Sequence, residues 1–504
     1  VRLALKERYF VAYDFSPEKI EEFTSGELSL FKRETIKEKG TLLDSFDWLL
    51  WKSGNALVAS GSVLSLYGET VLTENSHASD IKNIKDLSDG LIKQSINGVI
   101  GQRVFLKKAE SSSSHSLYDV TNEDGKTVSR FEVVEIELFN EKFQYKSSFL
   151  RIIPLKGYER ESSLVQASLE DAGGSRLKIP PFCYVIKKSG LEPTSYKTKV
   201  TAVGSADSLF ENEIKDICKR LLNIMEQNES GIKEGVDIEF LHDYRVALRR
   251  LRSCLALLKG MVVPEDLDNV RSILSGLFNT TGSLRDTDVY LRHMDEYKES
   301  LPDELSDGLK SLTKFLRKEQ LKESRKLTKL FGSVGYDETK NIIKQFLNQE
   351  AVEEGAKPVK ALALKTVKKA YKKVTKKAAQ LSDDCESMEI HRIRILCKKL
   401  RYTLEFFEKY LPEKERETAE KTLKTLQDSL GQYHDFEIQR TKLLAYSEFS
   451  VKGLEVPLKQ SLAVGYLVRI LDEKQKAQRL RSLKLIADFT SAKMRKTFKD
   501  MVRK

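Results

Sequence analysis

The chain carries LHDYRVALRRLRSCLALLKG at Leu241–Gly260 and, 149 residues later, IHRIRILCKKLRYTLEFFEK at Ile390–Lys409. In the first stretch His242, Arg245, Arg249 and Arg252 fall at i, i+3, i+7 and i+10, which is one face of a helix. His391, Arg394, Lys398 and Arg401 repeat that spacing in the second. One position earlier in each runs an apolar stripe: Leu241, Tyr244, Leu248, Leu251, Leu255 and Leu258, then Ile390, Ile393, Cys397, Leu400, Leu404 and Phe407. A helix turns by roughly 100° per residue, so each cation stripe borders a buried stripe instead of opposing it. That position predicts a groove or cavity between packed helices, not an outer solvated face.

The offset extends further. Gly282 and Gly431 follow the two histidines at equal distance, and Asp286 and Asp435 follow the glycines in GSLRD and GQYHD. One offset shared by four landmarks implies an internal duplication of a multi-helix unit, about 206–355 and 356–504. From Ala206 onward helical patterns follow one another, with Pro264, Pro302, Pro358, Pro412 and Pro457 at the breaks, where helices start. Gly282 and Gly431 are expected to precede helices, placing Asp286 and Asp435 in a first turn, where the helix dipole favours negative charge.

A chain of 504 residues with 40% hydrophobic content can bury sizeable cores. It has no apolar run long enough to cross a bilayer, and VRLALKERYFVAYDF lacks the apolar centre of a secretory signal. The cysteines (183, 218, 254, 385 and 397) form no CxxC, which fits free thiols in a reducing compartment and a cytoplasmic protein. The net charge is +11, and all of the excess lies in residues 201–504, which hold 58 basic against 47 acidic side chains. Such a balance points to a polyanionic partner for that half.

Residues 1–200 read as mainly β. Lys126–Phe139 and Lys142–Leu155 are expected strands, Ser79–Ile96 a helix, and the serine run 111–114 a loop interrupting a third strand region. Several fragments resemble the CYTH triphosphate-tunnel domain: TLLDSFDWLLWKSGNALVASG at 41–61, SFLRIIPLKGYERESSLV, and LEPTSYKTKV. The departures are specific. That family's ExExK strand, with its metal-binding carboxylates and phosphate-contacting lysine, is represented only by LKERYFV with the single Glu7. Its arginine-rich strand is represented by the uncharged ALVASG. Metal-assisted triphosphate hydrolysis needs clustered carboxylates and clustered bases. Glu135 and Glu137 on one strand face, with Glu132 on the other, read as a solvated strand face in preference to a residual metal site.

The second half resembles the CHAD family, the conserved histidine α-helical domain, on FLHDYRVALRRLR, GSLRDTDV, EIHRIRILCKKLRYTLEFF and LQDSLGQYHD. The resemblance implies an all-α duplicated helical bundle that binds inorganic polyphosphate through basic side chains facing a cavity, often following a CYTH domain in one chain. The expected fold is therefore α+β: a degenerate CYTH-like domain over 1–200 and a CHAD domain over 205–504. The resemblance assigns polyphosphate contacts to His242, Arg245, Arg249, Arg252 and Arg285, and to His391, Arg394, Lys398 and Arg401.

Physical chemistry leads to the same ligand class. Polyphosphate has no base or sugar, so a binder needs rows of guanidinium and ammonium groups and little else. The basic stripes are not interleaved with aromatics, which disfavours single-stranded nucleic acid. KPVKALALKTVKKAYKKVTKK, residues 357–377, holds nine lysines and no acid, and adds Lys365, Lys368 and Lys372 as candidate contacts. No metal-ligand spacing or Walker motif occurs, so no cofactor is expected. The sequence thus predicts a non-catalytic polyphosphate binder of the cytoplasm, at polyphosphate granules. The alternatives are a metal-dependent triphosphatase or polyphosphatase using the first half, and a nucleic-acid or anionic-membrane binder.

Overall fold

The computed structural model describes residues 8–12, 28–75, 81–171, 175–191, 193–194, 196–349, 358–382, 384–451 and 458–503. Glu7, Lys357 and Pro457, which figure in the expectations above, lie outside the described residues. The chain divides into two compact units, Val1–Lys197 and Thr198–Lys504.

The first unit is an antiparallel sheet of β1 (Arg8–Ala12), β2 (Leu28–Asp44), β3 (Ala56–Ser60), β4 (Val63–Tyr67), β5 (Val71–Asn75), β6 (Leu106–Asn122), β7 (Thr127–Phe139), β8 (Gln144–Pro154) and β9 (Ser175–Arg176). Their order is β5-β4-β3-β2-β6-β7-β8-β1-β9. With it come α1 (Leu49–Lys52), α2 (Leu91–Ile100), α3 (Glu159–Asp171) and α4 (Pro181–Lys188). Strand alternation divides the apolar residues between two cores. Leu42, Val58, Ile136 and Leu138 pack with Phe182 and Ile186 of α4, while Leu43, Leu57 and Leu66 pack with Ile92 and Ile96 of α2.

The serine run is not a loop. β6 passes through Ser111–Ser114 unbroken, with Ser111 opposite Gly40 and Leu138, and Ser113 opposite Glu38 and Ile136. Serine has weak strand preference, but here both ladder edges are occupied by long partners, and that tertiary pairing overrides it. The expected helix at Ser79–Ile96 begins later, at Leu91, after a short 3-10 turn at Ile84–Asp86. β3 is uncharged because Ala56, Leu57 and Val58 are core residues.

The second unit is helical: α5 (Phe210–Glu234), α6 (Ile238–Leu255), α7 (Pro264–Thr280), α8 (Gly282–Arg292), α9 (Met294–Glu299), α10 (Asp303–Ser306), α11 (Lys310–Phe331), α12 (Val334–Asn348), α13 (Val359–Ala378), α14 (Ser387–Phe406), α15 (Glu413–Val451), α16 (Leu458–Phe489) and α17 (Ala492–Met501). Asp237 caps α6 by accepting from Glu239 and Phe240 N–H at 2.9 and 3.2 Å, and Pro264 opens α7.

Both apolar stripes are buried. Tyr244, Leu248, Leu251, Leu255, Ile393, Cys397, Leu400 and Leu404 are inaccessible to solvent. The hydroxyl of Tyr244 lies 3.0 Å from that of Tyr336, which donates to Glu229 at 2.7 Å, so this polar atom of the stripe is satisfied inside the core. The glycines behave otherwise than expected. Neither Gly282 nor Gly431 takes a left-handed backbone. Gly282 is itself the first residue of α8, and Gly431 lies inside the continuous 39-residue α15. Asp435 is therefore mid-helix, and its chemistry comes from its surroundings, not from a helix terminus.

Candidate functional site

The two cation stripes open into one cavity of about 1180 Å³ within the helical unit. α6 contributes His242, Arg245, Arg249 and Arg252; α14 contributes His391, Arg394 and Lys398; α8 contributes Arg285. The packing explains the convergence. Each stripe is turned by one residue from a stripe locked in the core, so burial of the latter aims the former inward.

Three predicted contacts and one more lie elsewhere. Lys365, Lys368 and Lys372 of α13 are exposed and do not line the cavity. Arg401 does not line it either. Its Nε donates to Glu405 at 2.9 Å and its Nη1 to Gln427 at 3.2 Å. Glu405 also accepts from Arg250 at 2.9 Å, so it ties α6 to α14 behind the stripes. Sequence reasoning missed Arg271 of α7, Arg292 of α8 and Lys399 of α14 as cavity-lining cations, and His434 of α15 also lines the cavity. One signal was available: Arg271, Ser275 and Phe278 follow helical spacing on α7, as Arg285 and Arg292 do on α8.

The lining holds seven arginines and two lysines against the carboxylates of Glu239, Asp268, Asp286 and Asp435, so positive charge dominates. Several guanidiniums are fixed by neutral partners. Arg245 donates through Nη1 to the carbonyl of Phe278 and to Thr281 Oγ1, both at 2.7 Å, and lies 4.2 Å from the Phe278 ring centre. Arg252 lies 5.0 Å from the same ring. Arg285 donates to the Ile238 carbonyl at 3.2 Å, with Glu239 3.9 Å away. Among the described residues, Arg249 Nε and Arg394 Nε are buried with no acceptor.

Crowded cations in a recess resist charging. Loss of hydration, then the charges of Arg249 and Arg394, push the Lys398 ammonium down to about 6. Desolvation also lowers Arg245, to about 10. The His391 and His434 rings stand 4.7 Å apart. Desolvation and then Arg394 lower both, His434 to about 3, so this pair is neutral at physiological pH. Asp435 opens onto the cavity, yet the protein atoms around it raise its carboxyl against the opposing pull of Arg394 and Lys398. The arrangement can hold a multiply charged anion by forked hydrogen bonds from both sides.

In the sheet unit the three strand glutamates have partners. Glu132 accepts from Arg151 at 2.6 Å and lies 2.9 Å from His115 Nδ1, Glu135 is 2.8 Å from Lys146, and Glu137 accepts from Gln144 at 2.5 Å. Among the described residues no group of three or more His, Cys, Asp or Glu side chains is placed to hold a metal ion.

A family profile described as the CHAD domain matches residues 216–444. The chain carries a C-terminal CHAD domain. Two solved structures are similar to it. The crystal structure of the CHAD domain from the plant Ricinus communis is 23% identical, with 59% of this chain and 96% of that chain covered at a TM-score of 0.48. PptA from Streptomyces chartreusis is 13% identical, with 55% and 99% covered at a TM-score of 0.44. No functionally curated protein matches. The cavity lies within this CHAD domain, all its lining residues falling inside the matched span. Among the described residues, no helix is long and apolar enough to cross a membrane.

Proposed function

We propose that the CHAD domain holds inorganic polyphosphate in this cavity and does not cleave it. The observation that carries this reading is the convergence of guanidinium and ammonium groups from α6, α7, α8 and α14 on one recess, with Arg249 Nε and Arg394 Nε buried and lacking acceptors among the described residues. Buried donors without partners cost stability, and phosphate oxygens would satisfy them. Of the Phe and Tyr rings lining the cavity, Phe278 is already taken by Arg245 and Arg252, and Tyr402 has Arg250 5.7 Å from its centre. A nucleobase would have to displace them, so a base-free polyanion fits better.

The test is titration of the full chain with long-chain polyphosphate. Charge-assisted hydrogen bonds contribute roughly 1.5–3 kcal/mol each, so Arg249→Ala with Arg394→Ala should weaken binding by at least about a hundredfold. Helix content by circular dichroism should not change, because the buried stripes are untouched. Unaltered affinity in the double variant would move the site elsewhere. Phosphate release from tripolyphosphate with Mg²⁺ or Mn²⁺ should stay at background. Sustained release abolished by Glu132→Gln or Glu135→Gln would favour the enzymatic alternative.

A further inference from the structure

Helix α13 buries Val359, Ala363, Val367, Tyr371 and Val374. Its opposite face presents Lys365, Lys368, Lys369, Lys372, Lys373 and Lys376, all exposed. Among the described residues no carboxylate pairs with any of these six, whereas Lys377 on the same helix pairs with Glu389 of α14. On α11, by contrast, Lys322 and Lys326 pair with Glu319 and Glu323 one turn away. A solvated face normally mixes signs as α11 does. The α13 face concentrates uncompensated charge over about 17 Å, at 1.5 Å per residue.

α13 packs against α14 in one core and pairs with it through Lys377 and Glu389. Lys399 of α14 lines the cavity. Desolvation and then the charges of Lys373, Arg271 and Arg252 hold its ammonium below the usual lysine range, so Lys399 feels both Lys373 and two arginines that line the recess. From Lys373, Lys369 and Lys376 are the next neighbours along α13, one helical turn away on either side. The cations therefore run from Arg252 and Arg271 over Lys399 to Lys373 and out along α13.

Resting on the polyphosphate reading, we propose that the lysine face of α13 is an outer tract of the same site, joined to the cavity through Lys399 and Lys373. A chain short enough for the cavity is held by the cations that line it. A longer chain leaves over Lys399 and releases further counterions along α13, so the domain discriminates polyphosphate by length.

The experiment titrates the full chain with tripolyphosphate and with long-chain polyphosphate. Lys369→Gln, Lys372→Gln and Lys373→Gln together should leave tripolyphosphate affinity within about twofold. They should weaken long-chain binding by about tenfold and flatten its salt dependence, since each neutralised phosphate contact removes roughly one unit of the slope. Lys373→Gln alone, at the junction, should act in the same direction. The comparison variant neutralises Lys314, Lys318 and Lys329 on α11, which are exposed and do not line the cavity. It carries the same charge change and should cost less than about twofold on either ligand, because charges away from the bound chain act only through screened attraction. Three results overturn the outer tract: equal losses on the two ligands, no loss on the long chain, or an equal loss in the α11 variant. No binding of either ligand by the unaltered protein sinks the polyphosphate reading and the tract with it.

Discussion

Lys398 feels the charges of Arg394 and Arg401 of its own helix, Arg249 of α6 and Asp435 of α15. With its ammonium pushed down to about 6, it is mostly neutral in the ligand-free protein at pH 7. The unfolded chain binds a proton there up to the ordinary lysine range. Stability of the ligand-free protein therefore rises with pH from about 6 upward, and the cost of charging Lys398 is greatest at and below pH 6. A bound polyanion favours the ammonium, so binding takes up a proton. Affinity should accordingly rise as pH falls from 8 to 6, by up to about tenfold per pH unit. Lys398→Met should flatten that profile and raise the melting temperature most at the acid end. A wild-type affinity that does not change over this interval rules the linkage out. Six of the nine lining cations were legible because they lie on the repeated stripes or in the GSLRD segment. Those that escaped have mates of another kind: the positions 149 residues beyond Arg271 and Arg292 are Glu420 and Thr441, so comparing the two copies gave them no prominence. Lys399 has a basic mate, Arg250, but that side chain is spent on Glu405.

Glycines separate local preference from packing at the scale of the helix. Gly431 lies within α15, and a Cβ built there meets nothing within 4 Å. Gly431→Ala should stabilise the protein by about 0.5–1 kcal/mol, because glycine surrenders more backbone freedom than alanine on entering a helix. Gly308 is the opposite case. A Cβ there would stand 2.5 Å from the Lys459 carbonyl and 2.7 Å from Ala463, where α16 approaches closely. Gly308→Ala should cost about 1–3 kcal/mol by overpacking. Urea unfolding of both variants checks the pair, and two changes of the same sign would contradict this account. The elements that sequence misjudged share a cause. Ser111–Ser114 and Gly431 look like breaks when read locally, yet each lies within a long element: β6, paired along both edges, and the 39-residue α15. Pro264 and Pro358, whose constraints are covalent, marked helix starts as expected.

For the molecule as a whole, the two units carry different burdens. The excess positive charge lies in the helical half, while the sheet half is balanced. The walls of the cavity also differ. α6 supplies three arginines, whose charge persists throughout the physiological range; α14 supplies one arginine with Lys398, Lys399 and His391, all shifted toward neutrality. Capture and escape of a chain should then answer to different variables. Long-range attraction comes from the summed field, in which one proton more or less counts little, so the association rate should fall with added salt but hold steady between pH 6 and 8. On the polyphosphate reading a seated chain meets Lys398 in the cavity, so the dissociation rate should climb with pH. Stopped-flow mixing with labelled polyphosphate separates the two, and a pH effect confined to association would contradict this division. In a compartment that acidifies, a chain already captured would simply stay longer, which turns residence time into a record of local acidity.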